Sequence, residues 1–415
     1  MSEAEAYDLI IVGGGPAGAA SALYAKRQGL RILLVDKARF PRDKICGDAL
    51  SGKAVAILHE LDLLDKVRDL PGAAIDTVVF GSPDHVDTTI DLNADEHRDL
   101  LTGKVMPMKG FVIRREIFDN FLFEEARRAA DTCLEGFTLK DILQEDGRVT
   151  GIVGMREGET EEYRGKLVLG CDGFNSIVSR KAGLYEHDDR HWIVALRCYY
   201  ENVSDLSDQI ELHFVDEVRP GYFWIFRLDN GHVNVGIGMV HDEMKRRNIN
   251  LKDALDQVIG RAPFAERFKD ARPLEKPVGW NLPVGSKRRK IHGNGFLILG
   301  DAAGLIDPFT GEGIGNAFYS ARLAIDTAVE AIAEDNFTER FLKRYEDRLW
   351  DSLGDELKIS SRMQSLGRCR PLLNFVLRKA AKNDDVRDLI CGMIANAFPK
   401  KELLSPLFYL KLLFK

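Results

Sequence analysis

Several patterns that define whole classes of protein are missing from this sequence. The 6 cysteines include neither a C-x-x-C pair nor a zinc-ligand spacing, so we expect no disulfide framework and no metal site. No apolar run reaches the roughly 18 residues that a membrane-spanning helix needs. Residues 1–6 lack the basic and apolar regions of a secretory signal, which predicts a cytoplasmic protein.

An excess of positive charge is also missing. Lys and Arg number 58 against 65 Asp and Glu, a net charge of −7, so no broad positive field favours a nucleic-acid partner. Hydrophobic residues make up 45% and charged residues 30% of the 415 positions, which is typical of globular proteins and excludes a disordered chain. A chain of this length predicts about two or three domains.

The order of hydrophobic patterns predicts an α/β fold with an α+β insertion. Residues 7–12 and 31–35 have the pattern of buried strands, and residues 16–28 between them have an Ala-rich helical pattern. Aromatic and β-branched strands dominate residues 192–239, and helical patterns follow Gly315 almost to the end. An α/β domain interrupted by an inserted sheet fits this order. Further helical patterns cover residues 52–67, 117–130 and 251–268.

A glycine-rich turn joins the first strand to the first helix. It satisfies G-x-G-x-x-G with Gly13, Gly15 and Gly18. In this pattern the first glycine allows a tight turn, the second lets a pyrophosphate approach the backbone, and the third lets helix and strand pack closely. Asp36 ends the second strand, where a carboxylate accepts hydrogen bonds from an adenosine ribose. We therefore predict a dinucleotide site rather than a glycine-rich turn without a ligand.

Two later strands also end in glycine-rich turns. Cys171-Asp172-Gly173 follows the first of them, and GDAAG at residues 300–304 follows the second. The run GEGIG at residues 311–315 then begins a helix, whose N-terminus attracts negative charge. Three such turns are more than NAD needs, so they favour FAD, a longer cofactor of two parts.

These motifs together resemble the geranylgeranyl reductase family of FAD enzymes, which shares its fold with p-hydroxybenzoate hydroxylase. The resemblance covers residues 7 to about 325 and rests on Gly13 to Gly18 with Asp36, KICG at 44–47, Arg115 with Phe118-Asp119 and Leu122, Asp172-Gly173, YFWIF at 222–226 and GDAAGLIDPFTGEGIG at 300–315. It implies a Rossmann-like FAD-binding domain with an inserted antiparallel-sheet substrate domain and a C-terminal helical region.

We place the domain boundaries where the hydrophobic pattern changes. The predicted FAD-binding domain is discontinuous and covers residues 1–75, 103–180 and 275–330. The predicted substrate-binding β-sheet domain covers residues 76–102 and 181–274, and the C-terminal helical region covers residues 331–415.

The resemblance also implies which residues contact FAD. They are Gly13, Gly15, Ala17, Gly18, Asp36, Lys37, Cys46, Gly47, Ala49, Arg115, Asp172, Asp301, Gly311, Gly313 and Ile314. Arg115 is the candidate for the pyrophosphate charge, because a guanidinium forks onto phosphate oxygens. Without the resemblance, a surface ion pair with a nearby acid is the favoured interpretation of Arg115.

Cys46 is the candidate catalytic residue. In the family this loop lies by the flavin ring, so the thiol is placed to contact the ring or to position or protonate a substrate carbon. A small buried hydrophobic residue explains the same cysteine equally well. We expect the neighbouring Lys44 to lie in solvent.

Tyr222, Trp224 and Phe226 recur with a period of two, so they share one face of a strand. Such an aromatic wall is suited to bind a long apolar substrate beside the flavin. Ordinary sheet core explains the same pattern, and without the resemblance that interpretation is favoured.

The resemblance implies an FAD-dependent reductase that saturates C=C bonds of a polyprenyl chain on a lipid or quinone. Aromatic hydroxylases of this fold usually carry His where this chain has Gly304, and Gln where it has Glu312, and both positions favour the reductase branch. The alternatives are a flavin-dependent monooxygenase or halogenase of the same fold, and an FAD-bearing electron-transfer protein without substrate chemistry of its own. The transient electron donor is NAD(P)H or a reduced carrier protein, because no second strong G-x-G-x-x-G is present.

Residues 403–415 form a very apolar C-terminal tail with lysines at 411 and 415. It is too short to span a bilayer. Two interpretations stay open: a helix docked on the protein's own surface, which is favoured, and a peripheral contact on the inner face of the membrane.

Overall fold

The computed structural model describes residues 7–92, 96–98, 105–107, 110–383 and 386–387. The strands are β1 Tyr7–Val12, β2 Ile32–Asp36, β3 Ala49–Leu50, β4 Ala73–Ile75, β5 Thr77–Gly81, β6 Asp87–Asp91, β7 Glu96–Arg98, β8 Val105–Pro107, β9 Gly110–Val112, β10 Thr132–Glu135, β11 Thr138–Glu145, β12 Arg148–Arg156, β13 Glu159–Gly170, β14 Trp192–Glu201, β15 Gln209–His213, β16 Tyr222–Arg227, β17 Val233–Val240, β18 Arg272–Pro273, β19 Val278–Pro283, β20 His292–Gly293 and β21 Phe296–Ile298. The helices are α1 Pro16–Arg27, α2 Gly52–Glu60, α3 Leu64–Arg68, α4 Arg115–Ala129, α5 Ile177–Lys181, α6 His241–Arg246, α7 Leu251–Ile259, α8 Ile314–Ala333, α9 Glu339–Leu366 and α10 Arg370–Ala380, with short 3-10 helices at Asp189–His191 and Gly300–Ala303.

The first sheet is parallel at its centre. Its strands lie in the order β10-β2-β1-β13-β12-β11, and β21 pairs in parallel with the end of β13. The central strands are apolar over their whole length because helices cover both faces of such a sheet. The carboxyl ends of β1, β2, β13 and β21 therefore lie along one edge, which is where ligands bind in open α/β sheets.

The second sheet is mostly antiparallel. Its order is β18-β14-β17-β16-β15-β5-β6, and β19 pairs with β14. One face packs on an apolar cluster that includes Phe80, Trp224 and Phe226, and the other packs on a cluster with Phe223, Ile237 and Leu255. The predicted α/β fold with an inserted sheet and C-terminal helices is confirmed.

The local predictions differ from the structure mainly at the ends of elements. The strand over residues 7–12 is confirmed, and the second strand begins and ends one residue later than predicted. The helical pattern over residues 52–67 corresponds to two helices, α2 and α3, with a break between them that the pattern does not predict. The helix predicted over 251–268 ends at Ile259, where Gly260 caps it.

The predicted domain boundaries stay predictions. β19 lies in the second sheet, although the predicted boundary at residue 275 assigns it to the FAD-binding domain. The apolar tail at 403–415 lies outside the described residues. Within the described part of the chain, every helix is too short or too polar to cross a bilayer.

Candidate active site and cofactor cleft

Two helices begin side by side at the edge of the parallel sheet. α1 starts at Pro16 after β1, and α8 starts at Ile314 after the turn that follows β21. A Cβ built on Gly300 would lie 3.2 Å from the Cβ of Ala17 and 3.3 Å from that of Ala317, so the first turns of both helices meet at this glycine. The N-cap residue of each helix is a glycine, so no side chain caps the first N–H groups of either helix. Two converging N-termini form a region that favours an anion such as a pyrophosphate.

At two positions of the first turn, the neighbouring backbone lies too close for any residue with a Cβ, so glycine is required there. Gly13 has a φ of +105°, and a Cβ on it would lie 2.4 Å from the carbonyl oxygen of Cys171. A Cβ on Gly18 would lie 1.7 Å from the carbonyl oxygen of Gly13. Gly18 therefore lets α1 pack on the turn, as the sequence predicts, but it does not line the cleft.

Asp36 presents a fixed carboxylate at the end of β2. Its Oδ2 accepts a hydrogen bond of 2.7 Å from the backbone N–H of Gly14, and its Oδ1 accepts one of 2.7 Å from that of Ala38. These bonds orient the carboxylate and leave it further lone pairs. The half-buried side chain lines the cleft, as a ribose acceptor requires.

Asp172 offers an oxygen that the described residues leave without a partner. Its Oδ2 accepts from the N–H groups of Ile177 and Val178, at 2.6 and 3.2 Å. Its Oδ1 is buried without a hydrogen bond, and burial raises the pKa of this carboxyl. A buried unpaired oxygen beside a cleft indicates a missing polar partner.

One continuous cavity of about 1000 Å³ runs from these turns to the second sheet. This volume lies at the upper end of the roughly 300–1,000 Å³ that is usual for small-molecule sites. With one exception, Gly18, all of the predicted site residues line it: Gly13, Gly15, Ala17, Asp36, Lys37, Cys46, Gly47, Ala49, Arg115, Asp172, Tyr222, Trp224, Phe226, Asp301, Gly311, Gly313 and Ile314. These features fit FAD: the two helix N-termini, the Asp36 carboxylate, the unpaired oxygen of Asp172 and the volume of the cavity.

Arg115 is a buried cation with its own counter-ion. Its Nε and Nη2 donate to Oδ1 and Oδ2 of Asp119 at 2.6 and 2.8 Å. Burial alone lowers the pKa of Arg115, but the Asp119 carboxylate and the Cys46 sulphur outweigh this effect and raise it. The ion pair is internal rather than on the surface. Arg42 also donates to Asp119 at 2.7 Å, and its Nη2 lies 3.5 Å from the Cβ position of Gly15.

The Cys46 loop lies directly against the aromatic wall. A Cβ on Gly47 would lie 3.0 Å from Phe226 Cε2. From the other side, a Cβ on Gly311 would lie 2.8 Å from the hydroxyl of Tyr222, which donates to the carbonyl oxygen of Thr310 at 2.7 Å. Both loops therefore contact the aromatic strand, and half-buried Cys46 lies in the cavity lining beside it.

Another part of the cavity lining is apolar and forms a chamber. Its walls come from the strands β4, β5, β14, β15, β16 and β19 and from the turn between β21 and α8; the residues are Ile75, Val78, Phe80, Ile193, Ala195, Ile210, Leu212, Tyr222, Trp224, Phe226, Leu282 and Phe309. Trp224 and Phe226 belong to the sheet core and also line the chamber, and their role in substrate binding stays a prediction.

The prediction that Lys44 lies in solvent is wrong. Its side chain lines the cavity, and its Nζ lies 4.4 Å from the ring centre of Trp280. Burial lowers the pKa of this ammonium. Trp280 is on β19, far from Lys44 in the sequence, so only the pairing of β19 with β14 brings the two together.

Comparison with known proteins identifies the family. A family model described as an FAD binding domain matches residues 6–347. A digeranylgeranylglycerophospholipid reductase of Thermoplasma volcanium is 31% identical over 340 residues, which are 80% of this chain and 81% of the relative. A menaquinone reductase of Mycobacterium tuberculosis is 30% identical over 340 residues, which are 79% of this chain and 77% of the relative.

Solved structures agree with this assignment. A geranylgeranyl bacteriochlorophyll reductase-like protein of Thermoplasma acidophilum superposes with a TM-score of 0.82 at 26% identity, over 95% of this chain and 97% of that one. A flavin-dependent brominase has a TM-score of 0.74 at 20% identity, over 94% of this chain and 93% of that one, and shows the fold alone. The chain therefore belongs to the geranylgeranyl reductase family of FAD-dependent oxidoreductases.

Proposed function

We propose that this enzyme saturates C=C bonds of a polyprenyl chain carried by a lipid or a quinone. The observation that carries the proposal is the single cavity that joins a dinucleotide cleft to an apolar chamber, with Cys46 where the two meet. The names of the relatives support it, since they refer to the reduction of digeranylgeranylglycerophospholipid and of menaquinone.

In this proposal, each residue that lines the cofactor part of the cavity has a specific role in binding FAD. The N-termini of α1 and α8 bind the pyrophosphate, Asp36 accepts from the adenosine ribose, and Asp301 accepts from a hydroxyl of the ribityl chain. Arg42 and Arg115 supply positive charge beside these helix ends. Bound FAD in its reduced form supplies the hydride for the reaction.

The chamber holds the alkene and excludes water. An isolated C=C bond offers no charge to recognise, so the protein must fix it by shape between apolar and aromatic walls. The Trp224 and Phe226 rings form the wall on which the Cys46 loop packs. We infer that the Cys46 thiol positions or protonates the alkene carbon that does not receive the hydride, since a thiol can donate a proton and Cys46 lines the cavity beside the aromatic strand.

The electron donor is NAD(P)H or a reduced carrier protein that visits transiently. In this proposal FAD and the substrate together fill the cavity, so the donor binds only for the time that electron transfer to the flavin takes. Flavin reduction in a stopped-flow instrument, with NADH, NADPH and a reduced ferredoxin-type protein compared at equal concentration, identifies the donor.

We further propose a peripheral membrane contact at the C-terminal end. α10 packs its buried face on β6 and the apolar cluster beneath it, where Thr88 donates to the carbonyl oxygen of Leu377 at 2.9 Å. Its exposed residues include Arg370 and Arg378, which both pair with Asp84, and exposed Lys382 and the apolar tail follow further along the chain. A basic helix followed by an apolar segment is typical of binding to an anionic lipid surface. Deleting residues 403–415 is expected to weaken co-sedimentation with phosphatidylglycerol vesicles; equal sedimentation of both forms contradicts the contact.

The decisive experiment follows reoxidation of the reduced flavin. The purified holoenzyme is reduced without oxygen and then mixed with either a geranylgeranylated lipid or air. Reoxidation by the lipid, with a gain of two hydrogens per double bond in its mass, establishes the reductase. Fast oxygen consumption with no change in the lipid supports a monooxygenase or halogenase instead. Slow response to both leaves electron transfer between proteins as the activity.

A further inference from the structure

A buried polar cluster, formed by Asp48, Tyr199 and Asn234, lies directly behind the Cys46 loop. Asp48 and Asn234 are fully buried, and Tyr199 is almost so. Oδ2 of Asp48 accepts hydrogen bonds from the hydroxyl of Tyr199 at 2.7 Å and from Nδ2 of Asn234 at 2.8 Å. Nothing in the sequence pattern predicts this cluster, since Asp48 and Asn234 are 186 residues apart.

The side-chain amide of Asn234 forms hydrogen bonds through both its nitrogen and its oxygen. Its Nδ2 also donates to the carbonyl oxygen of Cys46 at 2.8 Å, and its Oδ1 accepts from Nε1 of Trp224 at 2.9 Å. The orientation of the amide is fixed, because an indole N–H only donates and a carbonyl oxygen only accepts. One side chain on β17 thus joins the Cys46 loop to the aromatic wall on β16.

The backbone of the loop needs such support. Asp48 has a φ of +66°, a conformation that residues other than glycine adopt at a cost and that surrounding contacts must maintain. Its Oδ1 accepts from the backbone N–H of Arg115 at 3.2 Å, which fixes the loop to the start of α4 as well. Burial raises the pKa of the Asp48 carboxyl to about 6, against the lowering effect of the hydrogen bonds from Tyr199 and Asn234.

We propose that Asn234 is a positioning residue that holds the Cys46 loop and the Trp224 ring in one fixed arrangement where both line the cavity. The inference rests on the proposed function for its catalytic consequence, because it concerns where the thiol meets the alkene. It makes this arrangement depend on the second sheet. Tyr199, Trp224 and Asn234 lie on three neighbouring strands, and Tyr199 and Asn234 hydrogen-bond to the loop that follows β2.

No simple replacement reproduces the amide. Leu fills the space but offers no hydrogen bond, and it leaves the Cys46 carbonyl and the Trp224 N–H without partners. Tyr199→Phe is milder, since it removes one of the two donors to Asp48 and leaves Asn234 in place. Tyr200→Phe is the matched control, because Tyr200 is the next residue of β14 and packs in the core on the opposite face of the sheet.

The test uses the FAD-loaded enzyme and two readouts. The first is the alkylation rate of Cys46 by iodoacetamide, followed by peptide mass, with the exposed Cys369 as internal reference. Asn234→Leu is expected to change the ratio of the two rates by about threefold or more, since thiol reactivity depends on exposure and neighbouring charge. The second is steady-state turnover of the polyprenyl lipid, in which kcat is expected to fall about tenfold to a hundredfold while KM stays within about twofold.

Each outcome decides one of the two proposals. An unchanged alkylation ratio in Asn234→Leu overturns the positioning role, whatever the turnover. A changed ratio in an enzyme whose wild-type form reduces no lipid supports positioning and contradicts the proposed function. If Asn234→Leu does not retain FAD, Tyr199→Phe decides: a smaller change of the same kind, absent from Tyr200→Phe, supports the proposal, and wild-type values in both readouts overturn it.

Discussion

At the scale of single residues, Gly18 has the least room for a side chain, because the carbonyl oxygen of Gly13 lies next to it. A methyl group on Gly18 would lie 1.7 Å from that oxygen, which is main-chain and cannot rotate away. Gly18→Ala is therefore expected to displace α1, to abolish FAD binding and to cost about 3 kcal/mol of stability. The flavin absorbance of the purified protein and its urea unfolding curve measure both effects.

Gly354→Ala is the control for that substitution. Gly354 is inside α9, and its added Cβ would make an ordinary contact of 3.4 Å with Trp350. The variant is expected to keep FAD and to gain up to about 1 kcal/mol from helix propensity. A Gly18→Ala protein that is purified with full flavin content contradicts the packing argument.

A second residue-scale prediction concerns Cys46. Cys46→Ala is expected to keep FAD, because the thiol is one of many cavity contacts, and to lower alkene reduction by at least about tenfold through the loss of a positioned acid. Anaerobic single-turnover reoxidation by the lipid is the measurement. Cys133→Ala is the control, since Cys133 lies on β10 away from the cavity and burial raises its thiol pKa to about 12. Equal turnover in Cys46→Ala and the wild type removes Cys46 from the chemistry.

At the scale of elements, a buried ion pair between Glu211 on β15 and Arg267 stabilises the second sheet. Glu211 is 4% exposed and accepts from both terminal nitrogens of Arg267 at 2.7 Å, and it lies 2.9 Å from Nε2 of His213. Burial alone raises the pKa of Glu211, but the hydrogen bonds from Arg267 and His213 prevail and lower it to about 2. A depressed carboxyl pKa adds stability above the ordinary value of 4.5, and this stability disappears as pH falls towards 2.

Glu211→Gln is expected to lower stability at pH 7 by about 3 kcal/mol, because it leaves a largely buried guanidinium without its counter-ion. Its stability is also expected to depend less steeply on pH between 4.5 and 2 than that of the wild type. Urea unfolding at a series of pH values measures both. Glu145→Gln, which breaks an exposed pair with Arg164, serves as the control and is expected to change stability by less than about 1 kcal/mol. If the free energy of unfolding of Glu211→Gln depends on pH as steeply as that of the wild type, this account is wrong.

The elements also show which parts of the site the sequence predicts. Each glycine-rich turn follows its strand and precedes its helix within a few residues, so local patterns predict Gly13, Asp36 and Gly313 as neighbours of a cofactor. Lys44 and Asn234 have no such pattern, because strand pairing in the second sheet brings Trp280 and Trp224 to them. Helix ends depend on capping as well, and the residues around Leu61 stop α2 where hydrophobic spacing alone continues it.

At the scale of the whole molecule, one cavity joins parts of the chain that are distant in sequence and belong to both sheets. Residues 13–18, 46–50 and 300–315 surround the cofactor part, and 222–226 form the chamber wall. A ligand that fills the cofactor part must therefore stabilise several segments together, since whatever binds only the native state adds its binding free energy to folding. Removing FAD is expected to lower the melting temperature of the protein and to destabilise all of these segments.

Hydrogen exchange of the FAD-loaded and FAD-free protein tests this coupling segment by segment. FAD is expected to slow exchange in 13–18, 46–50 and 300–315 together, because these turns contact one molecule, and to slow it less in 222–226, which mainly faces the chamber. The hairpin of β12 and β13 is the internal control, since residues 148–162 do not line the cavity and are expected to exchange equally in both forms. Protection limited to residues 13–18 would mean that a single mononucleotide half is bound, and the second part of the cavity would then have to serve another ligand.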